Sequence, residues 1–142
     1  MLNPDGTILA LDIGERRIGV ASARVSAGLP TPLTTVDHTE TVTHALQNLF
    51  AQHEAVALVM GLPRGLDGQE TAQTRRVETF VAELKKHTDL PIYWQDEAVT
   101  SRKAEEELQR RGKPYAKGDI DALAATYILE DFLQEHPEEV RS

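Results

Sequence analysis

The 142-residue chain contains no cysteine, which excludes a disulfide framework, a thiolate metal site and a cysteine nucleophile. No apolar run approaches the roughly 18 residues of a membrane span. Met1–Asp5 shows none of the basic, apolar and small-residue progression of a secretory signal, so a reduced, cytoplasmic setting without a membrane is expected. Surplus positive charge is missing as well. Against 15 basic residues stand 23 acidic ones, giving a net charge of −8 and a pI near 5.1. That balance counts against a protein that binds nucleic acid through bulk charge. There is no internal repeat, low-complexity stretch or linker.

What is present is an ordinary globular composition, 40% hydrophobic and 27% charged, too apolar for a disordered chain. The length suits one domain over residues 1–142, and a domain of this size buries roughly 68–70% of its unfolded surface. Charge is unevenly distributed. Arg102, Lys103, Arg110, Arg111, Lys113 and Lys117 gather in one segment, whereas Glu130–Glu139 is acidic without a base. The first region could face phosphates, although a solvated helix and a polar tail would produce the same pattern.

Thr7–Gly14 (TILALDIG) reads as a strand that is apolar on both faces apart from Asp12. A turn at Gly14–Arg16 leads into a second strand, Arg17–Ala23, so the two form a hairpin. A third strand is expected around Leu33–Asp37 and a helix over Thr39–His53. Ala55–Met60 is a continuous apolar run of the kind parallel strands show, closed by a break at Gly61–Pro63. Asp67-x-x-Glu70 resembles a capping box opening a helix to about His87. A strand at Pro91–Gln95, a charged helix at Thr100–Arg111, a loop at Gly112–Gly118 and a helix at Asp119–Gln134 complete the order. Antiparallel strands followed by strand–helix crossovers imply an α/β fold, a five-stranded mixed sheet with helices on both faces.

Three acidic positions raise the question of chemistry. Asp12 shares a strand face with Ile8 and Ala10, where a desolvated carboxylate must neutralise or find a cation; capping the following turn is an equally good reason for it. Asp96 and Glu97 follow the last strand on opposite faces, so only one can join Asp12 on a straight strand, and both also suit the start of the next helix. Asp119 and Asp121 open the last helix, where the dipole favours acids, and Ala122, Ala124 and Ala125 would let that helix approach the sheet closely. Carboxylates on three elements, without cysteine or an obvious histidine pair, match the oxygen-ligand preference of Mg²⁺ or Mn²⁺. Two such ions can clamp a phosphodiester undergoing in-line attack. None of the five histidines is assigned a role. Gly61–Gly68 precedes a helix and could hold a phosphate oxygen with help from Arg64, or simply connect two elements; it lacks the Walker A ending.

The segments LDIGERRIGVA (Leu11–Ala21), GLPRGLDGQE (Gly61–Glu70), DEAVTS (Asp96–Ser101) and KGDIDALAATYILEDFL (Lys117–Leu133) together resemble the YqgF/RuvX family, in family order and over nearly the whole chain. The resemblance implies a ribonuclease H-like fold and a nuclease for structured nucleic acid, acting on pre-16S rRNA ends or Holliday junctions. It implies that Asp12, Glu97 and Asp121 form an acidic triad holding Mg²⁺ or Mn²⁺. Arg16, Arg64, Arg102 and Lys117 are the candidate substrate contacts, with Lys117 in a mobile segment near the scissile strand. Where the family usually carries arginine after the acidic pair this chain has Ala98, so that phosphate contact is missing or supplied by Arg102. Structured RNA and branched DNA both remain open as partners, and junction resolution would call for a homodimer. A catalytically silent nucleic-acid-binding module of the same fold is the competing reading. A third, an actin-like ATPase suggested by LDIGERRIG, would need two lobes of the fold.

Overall fold

The central strand is built from residues that are apolar in both directions. In β1, Thr7–Ile13, Leu9, Leu11 and Ile13 face one side of the sheet while Ile8 and Ala10 face the other, all buried; such a strand is stable only when both faces are covered. The computed structural model describes residues 2–65, 68–97, 100–112 and 117–137, with the side chains of 100–105, 117 and 118 excepted. β2 (Arg17–Arg24) returns antiparallel to β1 through a tight turn in which Gly14 N–H donates to Arg17 O at 3.0 Å. β3 (Thr31–Asp37) adds to β2 antiparallel. β4 (Ala55–Pro63) pairs parallel to β1, and β5 (Ile92–Glu97) parallel to β4. The sheet order is β3-β2-β1-β4-β5, the five-stranded mixed sheet expected.

α1 (Val42–Gln52) and α2 (Ala72–Leu84) cover one face. Leu46 and Phe50 of α1 and Val77, Val81 and Leu84 of α2 pack with Leu9, Leu11, Ile18, Val20, Leu58 and Met60. α4 (Lys117–Glu135) covers the other face, where Ala125, Ile128, Leu129 and Phe132 meet Ile8, Ala10, Ala21, Ala57 and Val59. α3 (Thr100–Arg111) leans on α4 through Leu108 against Leu123 and Ala124. Among the described residues no helix is long and apolar enough to cross a membrane.

Several boundaries differ from the sequence expectation. β4 continues through Gly61–Pro63 because, beyond Met60, it pairs with β5 alone, and a proline is tolerated at such a strand end. That pairing also lengthens β5 to Glu97. α2 starts at Ala72, and its cap is Thr71 with Thr74 instead of Asp67 with Glu70. Thr74 N–H donates to Thr71 Oγ1 at 3.3 Å and Thr71 N–H to Thr74 Oγ1 at 3.0 Å. Thr74 is fully buried and its hydroxyl donates to Pro63 O, which ties the helix start to the end of β4. Asp67 itself lies outside the described residues. α3 ends at Arg111 as expected, and Gly112 follows it with a φ of 69°, the left-handed conformation that terminates helices. α4 begins at Lys117, two residues before the expected Asp119.

Phe132 has no exposed surface and packs against Tyr93 with ring centroids 5.1 Å apart. Phe132→Ala is expected to lower the unfolding free energy by about 3–5 kcal/mol, read from the shift in urea midpoint at unchanged m-value.

Candidate active site

β1, β4 and β5 are parallel, so their carboxyl ends lie at one edge of the sheet, the usual place for ligands in sheets with parallel strands. Asp12 is the penultimate residue of β1, and strand alternation puts it on the α4 face with Ile8 and Ala10. Its antiparallel partner in β2 is Gly19. A Cβ on Gly19 would stand 2.0 Å from Asp121 O and 2.9 Å from Ala122 N. The first turns of α4 therefore rest directly on the backbone of β2, which only glycine allows. The alanines after Asp121 extend this close approach: Ala122, Ala124 and Ala125 are all buried.

The close approach sets Asp121 beside Asp12, and their electrostatics record it. Burial, and secondarily the charge of Asp121, push the Asp12 carboxyl up from 3.8 to about 7. Asp121 is held from its other side by Arg17, whose Nε donates to Asp121 Oδ2 at 2.7 Å. Asp119 is exposed. Two residues from Asp121 on the same helix, it faces a different direction, so Asp121 is the acid of this pair that meets the sheet.

β5 makes the corresponding choice between Asp96 and Glu97. Tyr93 packs on Phe132 and Gln95 Nε2 donates to Glu135 Oε2 at 2.8 Å, so the odd-numbered residues of this strand face α4. Glu97 belongs to that face, with its Oε1 shielded from solvent. Asp96 lies on the opposite face, where Arg64 Nε stands 3.6 Å from its Oδ1. Asp12, Asp121 and Glu97 thus occupy the same end and the same face of the sheet. Asp12 and Asp121 are brought together, whereas Glu97 is separated from Asp12 by β4, whose Gly61 is covered by Ile128. Among the described residues, no group of three or more acidic or histidine side chains closes into a metal-sized cluster. In donor chemistry the residues fit a hard divalent cation: all are carboxylates, and the burdened Asp12–Asp121 pair is one that added positive charge would relieve.

The basic candidates are dispersed. Arg16 is exposed on the β1–β2 turn, and its carbonyl accepts from His38 N–H at 2.8 Å. Arg64 reaches Glu70 Oε1 and Asp96 Oδ1, each at 3.6 Å, away from the α4 face. Arg102 lies on α3 and Lys117 opens α4, but their side chains fall outside the described residues, as does Ala98. In the loop Gly61–Gly68, the first three residues are strand and residues 66 and 67 are not described. His38, given no role from sequence, buttresses the site: its Nδ1–H donates to Gly14 O at 2.7 Å.

Two residues of the site were missed by sequence reasoning, Arg17 and Gly19. A glycine inside a strand pattern signals close backbone approach, and counting by twos from it puts Arg17 on the same face. Both signals were present in RIGVASA.

Comparisons with known proteins bear on the fold and the family. The family model described as "RuvX: Holliday junction resolvase" matches residues 6–135. A protein of Thiobacillus denitrificans named "Putative pre-16S rRNA nuclease" is 37% identical over 131 residues, covering 89% of this chain and 90% of its own. One of the same name from Roseiflexus is 38% identical over 137 residues, covering 94% and 97%. Among solved structures, T. thermophilus RuvC in complex with Holliday junction substrate matches with a TM-score of 0.53 and 14% identity over 92% of this chain and 95% of that one. That likeness is one of fold, and the fold is ribonuclease H-like.

Gly19→Ala is expected to lower stability by about 1–3 kcal/mol, as overpacking against a rigid backbone does. Lifting Asp121 away removes the smaller of the two causes, so the Asp12 carboxyl should move down part of the way from about 7, a change visible in a carboxyl-detected NMR titration. Asp12 supplies a second test. Its folded value, about 7, lies above its unfolded one, 3.8, so the folded state binds the extra proton and stability declines as pH rises between those values. Asp12→Asn should therefore be more stable than wild type at pH 8 in EDTA, by about 2–4 kcal/mol, and equal to it near pH 4 in urea melts.

Proposed function

Because the chain belongs to the RuvX family, we propose that it is an endonuclease that hydrolyses phosphodiester bonds in structured nucleic acid with Mg²⁺ or Mn²⁺ held by Asp12, Glu97 and Asp121. The nuclease assignment rests on the family and on relatives that share more than a third of their residues with this chain. Pre-16S rRNA is the substrate in those relatives' names, and a Holliday junction the one in the family description; the 5′ end of pre-16S rRNA is the proposed cleavage region. The observation that carries the metal-centred reading is the Asp12–Asp121 pair: two carboxylates near enough at a strand end to repel each other, one pushed up to about 7, chiefly by burial.

Each residue has a defined task. Asp12, central in the sheet and rigidly held, must be anionic to ligate, so neutral or higher pH favours the working state. Asp121 is oriented by Arg17 and by the close seat of α4 on Gly19. Glu97 presents a carboxylate from β5 toward the same face. The cation, when bound, supplies positive charge against the phosphate oxygens and acidifies the attacking water. In its absence the three acids and a net charge of −8 repel a polyanion, and the local field must be inverted before substrate can approach. Arg16, Arg102 and Lys117 are the proposed contacts for the flanking phosphates. Paired cuts in a four-way junction would require two copies of this site and hence a homodimer.

The test is cleavage of an end-labelled pre-16S 5′ fragment, a four-way DNA junction and a single-stranded RNA, with Mg²⁺, Mn²⁺ or EDTA. Wild type should cut at least one substrate only with metal, and Asp12→Asn should bring cleavage below detection while remaining folded by circular dichroism. Equal cleavage by the two proteins would remove the metal site. No cleavage by wild type would leave the silent binding module.

A further inference from the structure

Resting on the nuclease reading above, we propose that Arg17 is a phosphate-contacting residue: its guanidinium, anchored on Asp121, presents its remaining N–H groups to a non-bridging oxygen of the phosphodiester. Arg17 opens β2 on the α4 face, two residues before Gly19, and so stands at the same sheet end as Asp12. It touches Asp121 through Nε, 2.7 Å from Oδ2. A guanidinium carries five N–H donors in a fixed fork, and carboxylates commonly engage two of them at once. Here one is used. Among the described residues no second acceptor bonds this side chain, not even Asp37, its cross-strand neighbour on β3.

The side chain is 29% exposed, enough for the terminal nitrogens to meet a ligand and little enough for their charge to act in a partly desolvated site. Other arginines are engaged elsewhere: Arg64 with Glu70 and Asp96, and Arg76 with Glu15 at 3.0 Å. Among the described residues Arg17 is thus the cation set against the acidic pair. The planar fork of arginine matches phosphate oxygens, and a positive charge fixed in advance where negative charge accumulates stabilises that charge without reorganisation. Arg17 stays protonated throughout and exchanges no atom with substrate. Asp121 acquires a second task, aiming the arginine, and the ion pair explains how an acidic surface keeps one fixed positive charge at the cleavage point.

The experiment measures binding of a labelled RNA hairpin and a labelled DNA junction by fluorescence anisotropy, with Mn²⁺ and Asp12→Asn protein to suppress cleavage, from about 50 to 200 mM salt. Arg17→Gln and Arg17→Lys are compared in that background, and wild type, Arg17→Gln and Arg17→Lys are assayed for cleavage in parallel. Loss of one phosphate contact should reduce the slope of log affinity against log salt by about 0.7–0.9 in Arg17→Gln; the nucleic acid that shows the change identifies the substrate. Arg17→Lys should keep the slope, since the charge remains, but raise KM several-fold because the fork is gone. If Arg17→Gln does not fold, Arg17→Lys decides, and a wild-type KM with wild-type affinity overturns the proposal. An unchanged slope with cleavage lost also overturns it, since Arg17 would then act only by positioning Asp121. A reduced slope in a protein that never cleaves supports the contact and removes the nuclease reading.

Discussion

The backbone of β2 and the start of α4 touch at Gly19, and the geometry of the site follows from that contact. With no Cβ between them, Asp121 comes down beside Asp12, although 109 positions of chain separate the two. The proximity is costly. A half-buried carboxylate next to a second one loses solvation and meets a like charge, and burial first and Asp121 second push the Asp12 carboxyl up to about 7. Arg17 offsets part of this by binding Asp121 from the solvent side. A strained acidic pair retained in a well-packed sheet is the kind of local inconsistency that marks function more often than stability.

Around that pair the fold acts as a rigid mount. Both faces of β1 are filled, one by α1 and α2 and the other by α4, so Asp12 projects from a strand that cannot shift without disturbing two core clusters. β5 is aligned by the same packing: Tyr93 against Phe132 and Gln95 against Glu135 determine which of its terminal acids faces α4. His38 bonds the Gly14 carbonyl and steadies the turn between Asp12 and Arg17. Catalytic groups carried on strands and a packed helix hold position better than groups on loops.

An acidic protein that works on a polyanion must solve a charge problem locally. The described residues suggest how. Arg64 and Arg76 neutralise surface acids on the other face, while Arg17 remains at the site with most of its donors available. Affinity for nucleic acid would then come from a few placed cations, and from metal, instead of a basic surface.

Much of this was legible in the chain. Short apolar runs and the turns between them identified the five strands, and the continuous run at Ala55–Met60 identified a parallel one, because burial on both faces leaves no room for alternation. The acids Asp12, Glu97 and Asp121 were legible as candidates, and alternation said that Asp96 and Glu97 must part. Sequence could not say which of those two faces α4, since that depends on the register of β5 against β4 and on where α4 crosses it. Alternation from Gly19 puts Arg17 on that face, but that its side chain reaches Asp121 depends on where α4 seats on β2. Local pattern dictates each element; the pairing of elements distant in sequence, set by packing across the sheet, decides which side chains meet.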